Sequence, residues 1–281
     1  MKKILICTDG SAYSLEAYRC GAWLAKDGDC AIDLLYVSDL RQFEVSAVAD
    51  VSGSLGIQPY EGMVSQMHEV ERLKSDFIKD QAQEFFEAAG LSERVKYHHE
   101  TGMLVDLIGR YESQADLVIL GKRGESAHFA KEHIGSMLER VVRATHTPCL
   151  VTSRPFKPIQ QVAVAFDGGA STLKALDFLA AVEPFRSLEI HLLSVAEGYP
   201  ETPAVQALSK AREIMEGKGL TPKSQLLTGE VGLAIADYVR DTEVDMLVLG
   251  AYGHSRIREL LIGSTTTELL RSCHVPVLCF R

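Results

Sequence analysis

The sequence predicts an α/β chain of two doubly wound domains in tandem, each built on a five-stranded parallel sheet. Three observations point there. Short, nearly continuous runs of Val, Ile and Leu alternate with segments of helical spacing. That is the pattern of strands buried on both faces and joined by right-handed crossovers. The landmarks of the first half return in the same order in the second. The length, 281 residues, suits two domains that can each bury a core.

In the first copy, strands are expected near residues 3–8, 31–37, 95–100, 116–121 and 148–153. In the second they fall near 160–166, 188–195, 223–228, 244–250 and 275–280. Ile4–Gly10 (ILICTDG) returns 158 residues later as Val162–Gly168 (VAVAFDG), and Leu34–Val37 returns at the same separation as Leu192–Val195. Thr101-Gly102 returns as Thr228-Gly229 after 127 residues, and Asp116–Gly121 as Asp245–Gly250 after 129. Gly135-Ser136 and Pro148 return as Gly263-Ser264 and Pro276, both after 128. The drop in separation places about thirty extra residues between the second and third strands of the first copy. Between the strands, Leu173, Leu176 and Ala180 fall at i, i+3, i+7, and so do Val70, Leu73 and Phe77. Each triplet reads as an apolar helix stripe. Residues 39–65, with Gly53, Gly56, Pro59 and Gly62, read as a long insertion loop, and such a loop is either mobile or a lid. Pro155 and Pro158 mark the boundary, giving domains at 1–153 and 160–281. The apolar segments Cys149–Thr152 and Val275–Phe280 close the two copies and would be exposed edges alone. They are expected to face each other, making an intramolecular domain pair.

Composition narrows the function. The formal net charge is −9 with no compensating basic block, which argues against a nucleic-acid partner. No apolar run approaches the 18 residues of a membrane span. The apolar run Ile4–Cys7 is too short for a secretory leader, so the cytoplasm is the expected location. The six cysteines show neither a C-x-x-C pair nor metal-type spacing with histidine, and read as small buried hydrophobes, with a redox role for Cys20 or Cys30 as the alternative.

In an open parallel sheet, ligands sit beyond the carboxyl ends of the strands where the strand order reverses. The loops after the first and fourth strands are therefore the informative ones. After its fourth strand the second copy reads Gly250-Ala251-Tyr252-Gly253, nine residues, then Gly263-Ser264-Thr265-Thr266. Glycines admit a ligand close to the backbone, and the last of them opens a helix whose free N–H groups and positive dipole end favour an anion. Three hydroxyls follow, a chemistry suited to a di- or triphosphate. The same residues also fit a plain turn and a helix start, with Thr265 and Glu268 as a capping box. The first copy has Gly121-Lys122-Arg123-Gly124, then ten residues, then Gly135-Ser136-Met137-Leu138. Its spacer is one residue longer, and Leu138 replaces the hydroxyl of Thr266. Lys122 and Arg123 would neutralise phosphates there or stand as solvated loop charges.

With G-x2-G-x9-G-[ST], the Asp-Gly turn after the first strand and the closing Pro-Val-Leu strand on the page, the chain resembles the universal stress protein family, in its tandem form, over nearly its whole length. The resemblance implies a Rossmann-like fold and binding of ATP, ADP or AMP, with Mg or Mn held through the phosphates. It implies that Ala165, Phe166, Asp167 and Val195 line the adenine side. Leu249, Gly250, Tyr252 and Gly253 would hold ribose and phosphates, and Gly263, Ser264, Thr265 and Thr266 the phosphate tail. Thr8, Asp9, Val37, Gly121, Gly124, Gly135 and Ser136 are the weaker counterparts in the first copy.

No catalytic constellation is evident. The Walker loop and G-x-S-x-G are absent, Asp9 and Asp167 each stand alone after a first strand, and His98-His99 lie at a strand end with no evident carboxylate partner. The expectation is a nucleotide-responsive regulatory protein with an unnamed protein partner, no catalytic or metal-ligating residues, and room for a homodimer. A slow ATPase and a nucleotide-independent scaffold are the rivals.

Overall fold

Alternation along the strands decides the architecture. In β1 (Lys3–Thr8), Ile4 and Ile6 enter one core while Leu5 and Cys7 enter another. A strand with apolar residues on both faces needs helices on both sides, and the chain supplies them. The computed structural model describes residues 1–39, 60–124, 136–153, 155–251 and 264–281. The other strands of the first copy are β2 (Ala31–Ser38), β3 (Val95–Thr101), β4 (Leu117–Gly121) and β5 (Cys149–Thr152). Those of the second are β6 (Gln161–Ala165), β7 (Glu189–Ala196), β8 (Lys223–Thr228), β9 (Met246–Gly250) and β10 (Val277–Phe280). All ten lie where the apolar runs place them. On one face pack α1 (Ala12–Ala25), α2 (Tyr60–Ala88), α5 (Ala170–Ala181) and α6 (Thr202–Gly217). On the other pack α3 (Leu104–Glu112), α4 (Ser136–Ala144), α7 (Val231–Asp241) and α8 (Ser264–Ser272).

The strand order is β3-β2-β1-β4-β5-β10-β9-β6-β7-β8. Every pairing within a copy is parallel. The closing strands β5 and β10 pair antiparallel, with Leu150 opposite Leu278 and Cys149 opposite Cys279. Leu150 and Leu278 are equivalent residues of the two copies, so this register sets a pseudo-twofold axis at their pair. The expected meeting of the closing strands is thus present, and it goes further than two facing domains. The two five-stranded sheets form one ten-stranded sheet, and each face carries a single core running through both copies. The linker lies along α1, where the Phe156 N–H donates to the buried carboxylate of Glu16 (2.8 Å) and the Phe156 ring packs on Trp23.

The insertion departs from expectation. Residues 60–65, read as loop, already belong to α2, and residues 40–59 of the expected loop lie outside the described residues. Val70, Leu73 and Phe77 are on a helix, but they are 61%, 55% and 63% exposed. The buried side of α2 carries Ser75, Ile78, Ala82 and Phe86 instead. Two apolar stripes wind along this helix, and periodicity reveals a helix without saying which stripe meets the sheet. Leu173, Leu176 and Ala180 do turn inward as expected.

Two glycines distinguish hard from soft packing. A Cβ on Gly121 would lie 2.9 Å from Tyr13 Cβ and 3.1 Å from the Tyr13 backbone carbonyl. A Cβ on Gly21 would meet only the side chains of Ile6 and Ile119, the nearest atom being the Ile6 terminal methyl at 2.5 Å. Backbone cannot move aside as a methyl can. Gly121→Ala is therefore expected to destabilise by about 1–3 kcal/mol. Gly21→Ala is expected to lose less, because alanine regains about 1 kcal/mol of helix propensity. Urea unfolding compares them, and equal losses would contradict this packing.

All six cysteines are free and buried. Loss of hydration pushes the Cys7 and Cys279 thiols from about 9 up to about 12. Thiols of the unfolded chain ionise near pH 9, and these two stay neutral until about pH 12. Their contribution to stability is complete below pH 9 and declines as pH rises, by up to about 1.4 kcal/mol per pH unit per thiol. Unfolding free energy measured from pH 8 to 11 is expected to fall accordingly. A thiol reagent at pH 8 is expected to label the folded chain far more slowly than the unfolded one.

Candidate functional site

The strand order reverses between β1 and β4 in the first copy and between β6 and β9 in the second. Such a reversal is where an open parallel sheet forms a crevice at the carboxyl ends of its strands. In the first copy a cavity of about 270 Å³ occupies that place, lined among others by Thr8, Asp9, Val37, Gly121, Gly124 and Leu138. The first five of these are the candidates expected from the sequence, and the fold brings them together.

Each crevice is built on the same turn. After β1 and β6 the chain reverses through Gly10 (φ +76°) and Gly168 (φ +82°), a backbone region that glycine enters without strain. The preceding aspartate is held by the first turn of the next helix. Asp9 Oδ1 accepts from the Ser14 hydroxyl (2.7 Å) and the Ser11 N–H (3.0 Å). Asp167 Oδ1 accepts from the Thr172 hydroxyl (2.8 Å) and the Gly169 N–H (2.8 Å). Ser14 and Thr172 were missed, although a hydroxyl five residues after the aspartate recurs in both copies. So fixed, the carboxylate can accept from an amine or a sugar hydroxyl, and it repels a phosphate. Asp9 Oδ2 reaches within 2.7 Å of where a Gly124 Cβ would stand, so a side chain at Gly124 would crowd it.

Gly121 and Gly250 also serve packing. The space for a Cβ on Gly250 is filled by Thr172 and Ser171 of α5, as Tyr13 of α1 fills it at Gly121. A bare backbone lets the end of β4 or β9 lie against the first turn of the neighbouring helix.

The copies differ at the helix that begins beside the crevice. In the first, α4 presents Met137, Leu138 and Val141 to the cavity. The equivalent residues of α8 are Thr265, Thr266 and Leu269, with Thr265 half-buried and Thr266 buried. One wall is therefore apolar where its counterpart carries hydroxyls.

Lys122 takes neither role expected of it. Its ammonium crosses to the second copy and donates to the carbonyls of Cys273 (2.6 Å) and Arg271 (3.1 Å) at the end of α8. Burial there lowers its pKa from the usual lysine range. In the opposite direction, Arg281 Nη1 donates to the Arg143 carbonyl (2.9 Å) near the end of α4, and Arg271 pairs with Glu139 at 3.2 Å.

The Universal stress protein family profile matches residues 1–153 and again 158–281. This chain belongs to the universal stress protein family. Within the family it is 38% identical over 288 aligned residues to Universal stress protein Slr1230 of Synechocystis, with both chains fully covered. A universal stress protein of Archaeoglobus fulgidus superposes with a TM-score of 0.74 at 22% identity, covering 99% of this chain and 96% of its own. Another structure, the universal stress protein from Archaeoglobus fulgidus in complex with dAMP, aligns with 43% of this chain and 98% of its own, at 22% identity and a TM-score of 0.37.

The family's expected nucleotide residues in the second copy fall into three groups. Ala165, Asp167, Val195, Leu249 and Gly250 lie at or just beyond the ends of β6, β7 and β9, and Thr265 and Thr266 in the first turn of α8. Phe166 is a correction in part. Its side chain is buried in the core under α5 and α6, and its carbonyl accepts from the Ser194 hydroxyl (2.5 Å), so it can offer a ligand no aromatic face. Tyr252, Gly253 and Gly263 lie outside the described residues, as does Gly135 of the first copy. Ser136 and Ser264 open α4 and α8.

The paired histidines are also corrected. They sit on β3, an edge strand as expected, but His98 Nε2 approaches Asp33 Oδ1 to 3.3 Å, and His99 Nε2 shares a 2.7 Å hydrogen bond with Ser38. Asp33 lies far from His98 in sequence, and the β2–β3 pairing brings it near. Among the described residues no group of three or more His, Cys, Asp or Glu is placed to hold a metal ion, and no helix is long and apolar enough to cross a membrane.

Proposed function

We propose that this universal stress protein is a cytoplasmic adenine-nucleotide-binding regulatory protein whose principal site is in the second copy. The carrying observation is the contrast between equivalent helix starts, Thr265 and Thr266 in the first turn of α8 against Met137 and Leu138, which line the first copy's cavity. Hydroxyls beside free helix N–H groups suit a phosphate tail, and an apolar wall excludes one. The fixed aspartate at the other side of the crevice suits an exocyclic amine or a ribose hydroxyl. A divalent cation would arrive with the phosphates.

The reading is binding without turnover. It is supported by Asp167, whose Oδ1 is engaged by the first turn of its own helix. Mass spectrometry of ligand released from the purified chain tests the ligand class, and release of adenine nucleotide is expected. Phosphate release from added ATP tests the rival reading of a slow ATPase. Sustained turnover abolished by Asp167→Asn would replace the present reading.

A further inference from the structure

One lysine touches both halves of the functional apparatus. Lys122 belongs to the Gly121–Gly124 loop that lines the first copy's cavity, yet its ammonium is spent on the carbonyls of Arg271 and Cys273. Those carbonyls end α8, the helix whose first turn carries Thr265 and Thr266. A cation at a helix carboxyl end satisfies orphan carbonyls and complements the dipole. At nine residues, α8 is a rod of about 13 Å, short enough that a cap at one end helps set the other. Leu269 and Leu270 seat it on the sheet, and Arg271 ties it to Glu139 of α4. The arrangement is not mirrored: Ala251 stands where Lys122 stands in the first copy, and α4 is capped by Arg281, the last residue of the chain. Among the described residues, a tie from one site loop to the other copy's helix therefore runs in one direction.

We propose that Lys122 is a positioning residue for the second copy's nucleotide site, acting through α8, so that the first copy's site loop influences nucleotide affinity in the second. The proposal rests on the reading given above. Binding that orders the start of α8 tightens the cap at its end, and by reciprocity the cap strengthens binding.

The test uses the full-length chain and ATP. Calorimetric titration compares wild type, Lys122→Met, Lys122→Arg and a Thr265→Val/Thr266→Val double variant. Lys122→Met is expected to weaken ATP binding about fivefold to tenfold, the effect of a partly buried helix cap, and Lys122→Arg to restore most of it. A second readout is acetylation of Lys122 by acetic anhydride, followed by mass spectrometry. At an ATP concentration near the wild-type Kd, ATP is expected to slow it in wild type and to leave it nearly unchanged in the double valine variant. Wild-type affinity in Lys122→Met overturns the proposal. So does protection of Lys122 that persists in the valine variant, since that puts ATP directly on Lys122. If wild type takes up no adenine nucleotide, the functional reading itself falls, and the proposal with it. If ATP binding depends on Thr265 and Thr266 but is indifferent to Lys122, only this proposal falls.

Discussion

Thr265→Val/Thr266→Val is expected to lose between tenfold and a hundredfold in ATP affinity, while Leu138→Val leaves the tight binding phase intact. Valine keeps the shape of threonine and removes the hydroxyl, so the buried packing at Thr266 persists and a hydrogen-bond donor is lost. A hydrogen bond to a charged group is worth roughly 1.5–3 kcal/mol, which converts to that range of affinity. In the first copy the counterparts are Met137 and Leu138, and both line the cavity without a hydroxyl to offer. The spacer from Gly124 to Gly135 is also one residue longer than that from Gly253 to Gly263. Sites that must converge on one phosphate tolerate little displacement, and about 1 Å is enough to matter. Calorimetry on the intact chain reads both variants. Unchanged affinity in the valine variant together with loss in Leu138→Val would reverse the assignment of the two copies.

The second large effect concerns the junction of the copies. Leu150 and Leu278 are fully buried, lie opposite each other across the β5–β10 pairing, and belong to the core that runs through both halves. Leu150→Ala or Leu278→Ala is expected to destabilise by about 2–5 kcal/mol, from lost transfer energy and an unfilled cavity. Because the two side chains are cross-strand neighbours, the double variant is expected to depart from additivity by about 0.5–3 kcal/mol. A continuous sheet also predicts one cooperative thermal transition. Two separated transitions, with Leu278→Ala lowering only the later copy's, would show that the halves fold independently despite the shared sheet.

Local pattern was enough for the order of elements. Apolar runs and helical spacing are properties of neighbouring residues, and the recurrence of six landmarks doubled every inference. The ten strands, the Asp-Gly turns and the meeting of β5 with β10 were therefore legible, the last because an apolar closing strand needs a partner. The positions of the crevice residues followed from the same source, since the switch point depends only on strand order.

What the tertiary structure decided is everything that depends on direction. Val70, Leu73 and Phe77 have the spacing of a buried stripe, yet the sheet received Ile78, Ala82 and Phe86. Phe166 follows a strand at the crevice, but it continues the alternation of β6 into the opposite core. Gly121 and Gly250 read as room for a ligand, and the space a Cβ would take at each is filled by the first turn of the neighbouring helix. Lys122 shows the reason most directly. Its charge is a fact of the sequence, whereas its partners at Arg271 and Cys273 lie about 150 residues away and meet it only because β5 and β10 zip the copies together. Composition and spacing state what a residue can bond, and the pairing of distant strands chooses which of those bonds is made.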